Sequence, residues 1–281
     1  MERKTENTKK KKIFLIIRIS VLLLVIIASL WSWVPFTKRI NLDLLETQDQ
    51  NVRILLITDL HSCYYGKGEK NLIKRIDKEN PDVILLGGDI FDDKLDDDNA
   101  KYLIEDMVTK YPCYYVTGNH EYWSERVDEM KKYMEDTGVT VLSGDCDTIT
   151  INGVTMDICG VEDPTRLYRS QWLRQIESAH EETDDSHLKI LLTHRPEEVE
   201  VYEKYDFDLI LAGHAHAGQV RIPIINKGLY APNQGFMAPY VNGAYELKNK
   251  SIMVVSRGLA RESTPLPRFF NHPEIVVIDI N

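Results

Sequence analysis

Five short motifs recur where apolar runs of this chain end. They are D-x-H at Asp59 and His61, G-G-D at Asp89, G-N-H at Asn119 and His120, T-H-R at His194 and Arg195, and G-H-x-H at His214 and His216. Five of the eight histidines lie in them. Singly, each has an ordinary reading. D-x-H makes a turn with a capping aspartate, G-N-H a loop around a left-handed Asn, and His194 a satisfied structural histidine. Together they require five coincidences on one sheet edge. Carboxylate, amide and imidazole donors without a thiolate suit Mn²⁺, Fe²⁺ or Zn²⁺ rather than a cysteine-based structural zinc. Asp59, His61, Asp89, Asn119, His194, His214 and His216 exceed the needs of one ion but suit two ions sharing a carboxylate. Such pairs, about 3.5–4 Å apart, activate a water and clamp an in-line phosphoryl displacement.

Positioning these side chains requires a particular order of elements. Strand-like runs at Arg53–Thr58, Asp82–Leu86, Cys113–Thr117, Leu188–Thr193 and Leu209–Ala212 each lead into a motif. Between them lie helical patterns with Leu72, Ile73 and Ile76, then Leu103 and Met107, then Val127, Met130 and Met134, then Trp172, Leu173 and Ile176. Pro196 suits the first turn of a further helix. Asn152-Gly153, flanked by alternating residues, signals a two-residue hairpin, and SIMVVS and EIVVIDI read as C-terminal strands. The alternation is that of an α/β fold, in which sites gather outside the carboxyl ends of strands.

The charge balance narrows the substrates. Residues 1–12 hold six of the 34 Lys and Arg but only Glu2 and Glu6 of the 44 acidic residues, leaving 28 against 42 in the remainder, a balance of −14. So acidic a body has no general attraction for nucleic acid, which disfavours a nuclease, and bound cations would have to neutralise any phosphate locally. The four cysteines show no metal-binding spacing and read as small apolar fillers, with one disulfide possible if the domain is exported. His180, His187 and His272 lie outside the motifs.

The N-terminus predicts a membrane anchor. After a basic tail over 1–12, residues 13–34 carry a single charge, Arg18, and are long enough to span a core of about 30 Å. Trp31 and Trp33 mark the far interface. The basic flank places the N-terminus in the cytoplasm and the body outside a cell membrane, with 35–51 as a polar tether and 52–281 as the body.

The order D-x-H, G-G-D-x-x-D, G-N-H-E, H, G-H-x-H resembles the calcineurin-like metallophosphoesterase family over residues 53 to about 220. The C-terminal GLYAPNQG and SRGLARESTPLPRFFNHPEIVVI look like its membrane-associated bacterial branch of phosphodiesterases and UDP-2,3-diacylglucosamine pyrophosphohydrolase relatives. The resemblance implies a four-layer αββα sandwich and two divalent metal ions, Mn²⁺ first. It gives Asp59, His61, Asp89 and His216 to one ion and Asp89, Asn119, His194 and His214 to the other. A hydroxide between the ions would attack phosphorus while His120 assists the leaving group, and Asp92 would support a ligand or its loop. Arg195 has two readings, a clamp on a substrate phosphate or a partner of Glu197 or Glu198. Arg257, Arg261 and Arg268 share that ambiguity. The expected partner is a phosphate-containing substrate, lipid-linked or of the cell envelope. Loops at 62–70, 161–172 and 221–245 surround its pocket. A non-catalytic metal-dependent scaffold is the alternative.

Overall fold

The computed structural model describes residues 2–31, 33–45, 50–222, 227–264 and 266–281, and for 2–8, 28–31 and 222 the backbone alone. After helix α1 (Glu2–Trp31) the chain enters β1 (Phe36–Leu42), β2 (Val52–Ile57), α2 (Lys70–Glu79), β3 (Val83–Gly87), α3 (Asp98–Met107), β4 (Cys113–Val116), α4 (Asn119–Trp123), α5 (Val127–Thr137) and β5 (Thr140–Val141). A hairpin of β6 (Asp145–Ile151) and β7 (Val154–Gly160) follows, then α6 (Arg169–Glu181), β8 (Leu188–Leu192), α7 (Val199–Tyr202) and β9 (Leu209–Ala212). The C-terminal part holds two short ribbons, β10 (Arg221–Ile222) with β11 (Lys227–Gly228) and β12 (Tyr230–Ala231) with β13 (Gly235–Phe236). It ends in β14 (Gly243–Glu246), β15 (Ile252–Val255) and β16 (Glu274–Ile280).

Two six-stranded mixed sheets result, ordered β1-β16-β2-β3-β4-β5 and β14-β15-β9-β8-β7-β6. The five motif-bearing strands therefore divide between two sheets instead of sharing one edge, because the antiparallel β6–β7 hairpin starts a second sheet. At its turn Asn152 and Gly153 both hold positive φ, 52° and 81°, as a tight right-twisting hairpin requires.

The strands read as continuous apolar runs because both of their faces are covered. Ile54, Leu56, Val83 and Leu85 meet Ile190, Leu192, Leu209 and Leu211 in the core between the sheets. The alternate residues Leu55, Ile57, Ile84 and Leu86 pack outward on Leu72 and Ile76 of α2, Leu103 and Met107 of α3, and Met130 and Met134 of α5. Leu191 and Ile210 pack on Trp172 and Ile176 of α6. Helices thus flank both outer faces.

Several expectations are corrected. A helix does form near the N-terminus, but no helix among the described residues is long and apolar enough to cross a membrane, so neither the transmembrane span over 13–34 nor a cell-membrane location is supported. The described side chains of α1, 9–27, include the charged Lys9 to Lys12 and Arg18, and a spanning helix needs about 20 predominantly apolar residues. Trp31, read as an interface marker, has its side chain outside the described residues.

Part of the polar stretch read as a tether is strand β1, paired parallel with the C-terminal β16 from Phe36↔Glu274 to Leu42↔Ile280. Residues 46–49 of that stretch lie outside the described residues. Pro196 sits in a turn, and α7 starts at Val199. Cys146 and Cys159, opposite each other in the β6–β7 register, form a disulfide, while Cys63 and Cys113 are buried free thiols. The filler reading holds only for the latter two, since cross-strand register is not visible in cysteine spacing.

Candidate metal centre

Each motif begins where its strand stops. Parallel strands of one sheet release their chains at one edge, and the two sheets bring these edges together. Asp59 and His61 follow β2, Asp89 follows β3, Asn119 and His120 open α4 after β4, and His194 and His214 with His216 follow β8 and β9. The loops are cross-braced. Asp59 N–H donates to Gly88 O (3.0 Å), His61 N–H to Asp89 O (2.9 Å), and Leu259 N–H to Thr58 O and Asp59 O (3.1 Å each). Asp59, His61, Asp89, His214 and His216 hold φ between 45° and 63°. Left-handed backbone is costly for non-glycine residues and concentrates at functional sites.

The side chains converge in four groups whose donor atoms lie within 4.8 Å of one another: Asp92, Asp93 and His120; Asp59, His61 and His216; His61, Asp89 and His120; and Asp89, His194 and His214. Asp89 links the last two. Its Oδ2 is 3.1 Å from His194 Nε2 and 3.6 Å from His61 Nε2, and His216 Nε2 is 3.6 Å from Asp59 Oδ1. The far ring nitrogens are tied back. His194 Nδ1 faces Gly87 O at 2.8 Å and His61 Nδ1 faces Asp92 Oδ1 at 3.0 Å. Each Nδ1 therefore carries the proton and each Nε2 turns its lone pair inward, as metal-ligating histidines require.

The inward atoms are left over. His61 Nε2, Asp89 Oδ2, Asn119 Oδ1 and His194 Nε2 are buried with no hydrogen-bond partner among the described residues. A buried polar atom normally has one, so this donor set fits a cation. The pocket's own charges show the same demand. Burial opposes protonation of His194, but the adjacent Asp89 carboxylate outweighs it and lifts His194 to about 10. Burial likewise pushes Asp89 up, and the His194 charge overrides it and holds Asp89 well below the usual range. His214 and His216 are driven well below 6.5, by burial and then by the Arg195 charge for His214 and the His61 charge for His216. Both are thus neutral imidazoles, the form that ligates metal.

His120 lies beside this centre. Its N–H donates to Asp89 Oδ1 (2.8 Å), its Nδ1 is 2.7 Å from Asp93 Oδ1, and its ring stands 4.7 Å from that of Trp123. Burial lowers its pKa, but the hydrogen bond to Asp92, the Asp89 and Asp92 charges and the bond to Asp93 together raise it to about 9. Glu121, the last letter of G-N-H-E, is fully buried. Oε1 accepts from Ile90 N–H (2.7 Å) and Phe91 N–H (3.1 Å), and Oε2 from Asp89 N–H (3.0 Å) and Gly118 N–H (2.8 Å). Gly118 has to be glycine, since a Cβ there would stand 2.2 Å from Asp89 Oδ1.

Arg195 meets the expected Glu197 pairing only as a longer contact, and its main partner is a carboxylate distant in sequence. It pairs with Asp163 through Nε and Nη2 and donates from Nη2 to Thr165 Oγ1 (3.0 Å) and from Nη1 to His214 Nε2 (2.8 Å). Glu197 Oε1 is 3.6 Å away, and Glu198 pairs with Arg169. Asp163 is buried, 32 residues from Arg195 in sequence, and no local pattern marks it. Asp93 and Trp123 also escape the sequence reading, although both flank motif residues. Arg268 reaches His216 Nδ1 at 3.4 Å, Arg257 faces Glu274 at 3.2 Å, and Arg261 packs over Tyr65 at 3.9 Å. A cleft of about 700 Å³ opens over the centre, and its lining includes Asp89, Asn119, His120, Arg195, His214 and His216.

The comparisons agree with this geometry. An uncharacterized metallophosphoesterase of Helicobacter pylori (strain J99) is 26% identical over 239 residues, covering 83% of this chain and 61% of that protein. Another, Cj0846 of Campylobacter jejuni, is 29% identical over 252 residues, covering 88% and 63%. YpbG of Bacillus subtilis is 27% identical over 232 residues, covering 81% and 80%. The chain thus spans less than two thirds of the first two relatives, and none of the three descriptions names a substrate or the UDP-2,3-diacylglucosamine branch. Residues 52–218 match the calcineurin-like phosphoesterase model, a stretch that runs from the first motif strand through the last metal-facing histidine, and the chain belongs to that family.

Proposed function

We propose that this chain is a two-metal phosphoesterase that hydrolyses a phosphomonoester, phosphodiester or pyrophosphate bond. The family uses a dinuclear divalent metal centre. One observation carries the reading for this chain, the four buried atoms of His61, Asp89, Asn119 and His194 left without a hydrogen-bond partner, those of His61, Asp89 and His194 within the clustered Asp and His groups and Asn119 lining the same cleft. Asp59, His61, Asp89 and His216 would hold one ion, and Asp89, Asn119, His194 and His214 the other. Mn²⁺ is the first candidate, with Fe²⁺ or Zn²⁺ next, because the donors are oxygen and imidazole nitrogen. When bound, such ions supply an activated water and neutralise phosphoryl charge.

The chain's own groups do the rest. With a pKa of about 9, His120 is protonated at neutral pH. Asp93 engages Nδ1, which leaves Nε2 to give its proton to the departing oxygen. Asp92 orients His61, and Asp163 holds Arg195 against His214.

The test uses the full chain stripped of metal and reloaded with Mn²⁺. Bound metal is measured, with turnover of bis-p-nitrophenyl phosphate and of monoester and UDP-linked pyrophosphate substrates. Asp89→Ala should lose both metal and turnover. His120→Ala should keep its metal and lose about 10²–10⁴-fold in kcat. Equal turnover by wild type and Asp89→Ala would end the proposal, and bound metal with no activity on any substrate class would favour the scaffold alternative.

A further inference from the structure

Part of the cleft lining is unlike the metal-binding residues. Trp123, Pro164, Tyr230, Pro232 and Leu266 belong to it. Three of these large apolar side chains stand open to solvent, Trp123 at 53%, Tyr230 at 49% and Leu266 at 51%. Tyr230 is set edge-on to Phe236 across the β12–β13 ribbon, with ring centroids 5.4 Å apart, and Phe236 is itself 76% exposed. A cluster of exposed apolar side chains at the mouth of a polar site marks a surface that something apolar covers.

Several polar groups of this rim face other protein groups. Gln219 donates to Thr264 Oγ1 at 2.9 Å, and Thr165 accepts from Arg195 at 3.0 Å. Arg195 is the only Lys or Arg among the described residues lining the cleft, and the Asp163 carboxylate already offsets its charge. Beyond the metal centre and the protonated His120 beside it, the cleft therefore offers no free cationic side chain for a second phosphoryl group. A nucleoside polyphosphate or a nucleic acid strand would leave its other phosphates unpaired beside an acidic body.

From this juxtaposition, resting on the phosphoesterase reading, we propose that the cleft takes a substrate with one phosphoryl group and an uncharged apolar arm. The arm lies across Trp123, Tyr230, Pro232 and Leu266. Trp123 sets the specificity, because it stands beside His120, where the leaving oxygen receives its proton.

Binding separates this proposal from catalysis. Methyl-, hexyl- and phenylphosphonate, and a carboxypentylphosphonate of hexyl length, are titrated calorimetrically into the Mn²⁺-loaded full chain. None of them can be hydrolysed, so the result stands whether or not the enzyme reading survives. Each methylene removed from water contributes about fourfold in affinity, so two of the five extra methylenes in the hexyl compound already give about tenfold over methyl. The expected result is hexyl at least about tenfold tighter than methyl, with the carboxylated arm no tighter than methyl. A phenyl arm as tight as hexyl identifies a flat ring as the natural arm, and a weaker one an alkyl chain. In Trp123→Ala and in Leu266→Ala the hexyl-to-methyl ratio should fall below about threefold. Equal affinity for methyl and hexyl in the wild type, or an unchanged ratio in both variants, overturns the proposal.

Discussion

At Asp89 and His194, two atoms that both accept hydrogen bonds lie 3.1 Å apart in a buried site. Such a contact holds only with positive charge between them, either a proton on Nε2 or a divalent cation. His120 differs, because its carboxylate neighbours keep it charged without closing it off. Its pKa, about 9, lies above the ordinary 6.5. The acid form is therefore complete below pH 6.5 and is lost as pH rises through about 9, so a reaction needing that proton fails on the alkaline side. Asp93 supplies one of the raising interactions. Asp93→Asn should thus shift the alkaline limb of the kcat profile to lower pH, by on the order of one unit, at saturating Mn²⁺. An unmoved limb would exclude Asp93 as the partner that tunes this acid.

Among the elements, the short helix α4 does the most for its length. It presents Asn119 and His120, and through Glu121 it gathers four N–H groups from the β3 and β4 loops. Both carboxylate oxygens accept two bonds each, so an amide of the same shape must turn its NH₂ toward two donors. Glu121→Gln should therefore cost on the order of 3 kcal/mol in denaturant unfolding and weaken Mn²⁺ binding, because the left-handed turn at Asp89 loses its brace. Unfolding and metal affinity both at wild-type levels would show that the brace is dispensable. The strands were legible as elements because β2, β3, β8 and β9 are almost wholly apolar and end in glycine or polar residues. Pairing across sheets was not legible. β1, half exposed, carries the polar Lys38 and Arg39 typical of an edge strand and pairs with a segment more than 200 residues away.

The whole molecule gathers acidic residues around a centre whose buried donors face inward unpaired, within a body of net charge −14 over residues 13–281. Cations that bind only the folded state stabilise it by mass action, about 2.7 kcal/mol at 100 times Kd. At about 2–4 °C per kcal/mol for a domain of this size, Mn²⁺ should raise Tm by roughly 5–10 °C over chelated protein. The gain should vanish in Asp89→Ala. A Tm indifferent to Mn²⁺ and to chelation would leave the centre without a cation.

What the amino-acid order carried was local: residue types, apolar periodicity, the Asn152-Gly153 turn, and five motifs with donor chemistry. Those features depend on neighbours a few positions apart. The membrane reading rested on the same local ground, the apolar residues counted from 13 to 34, and no helix among the described residues is long and apolar enough to bear it out. Long-range contact settled the remainder. The division of the strands between two sheets, the Cys146–Cys159 bond, the capture of Arg195 by Asp163 and the apolar lining of the cleft that holds the histidines all join positions that only the tertiary fold brings together.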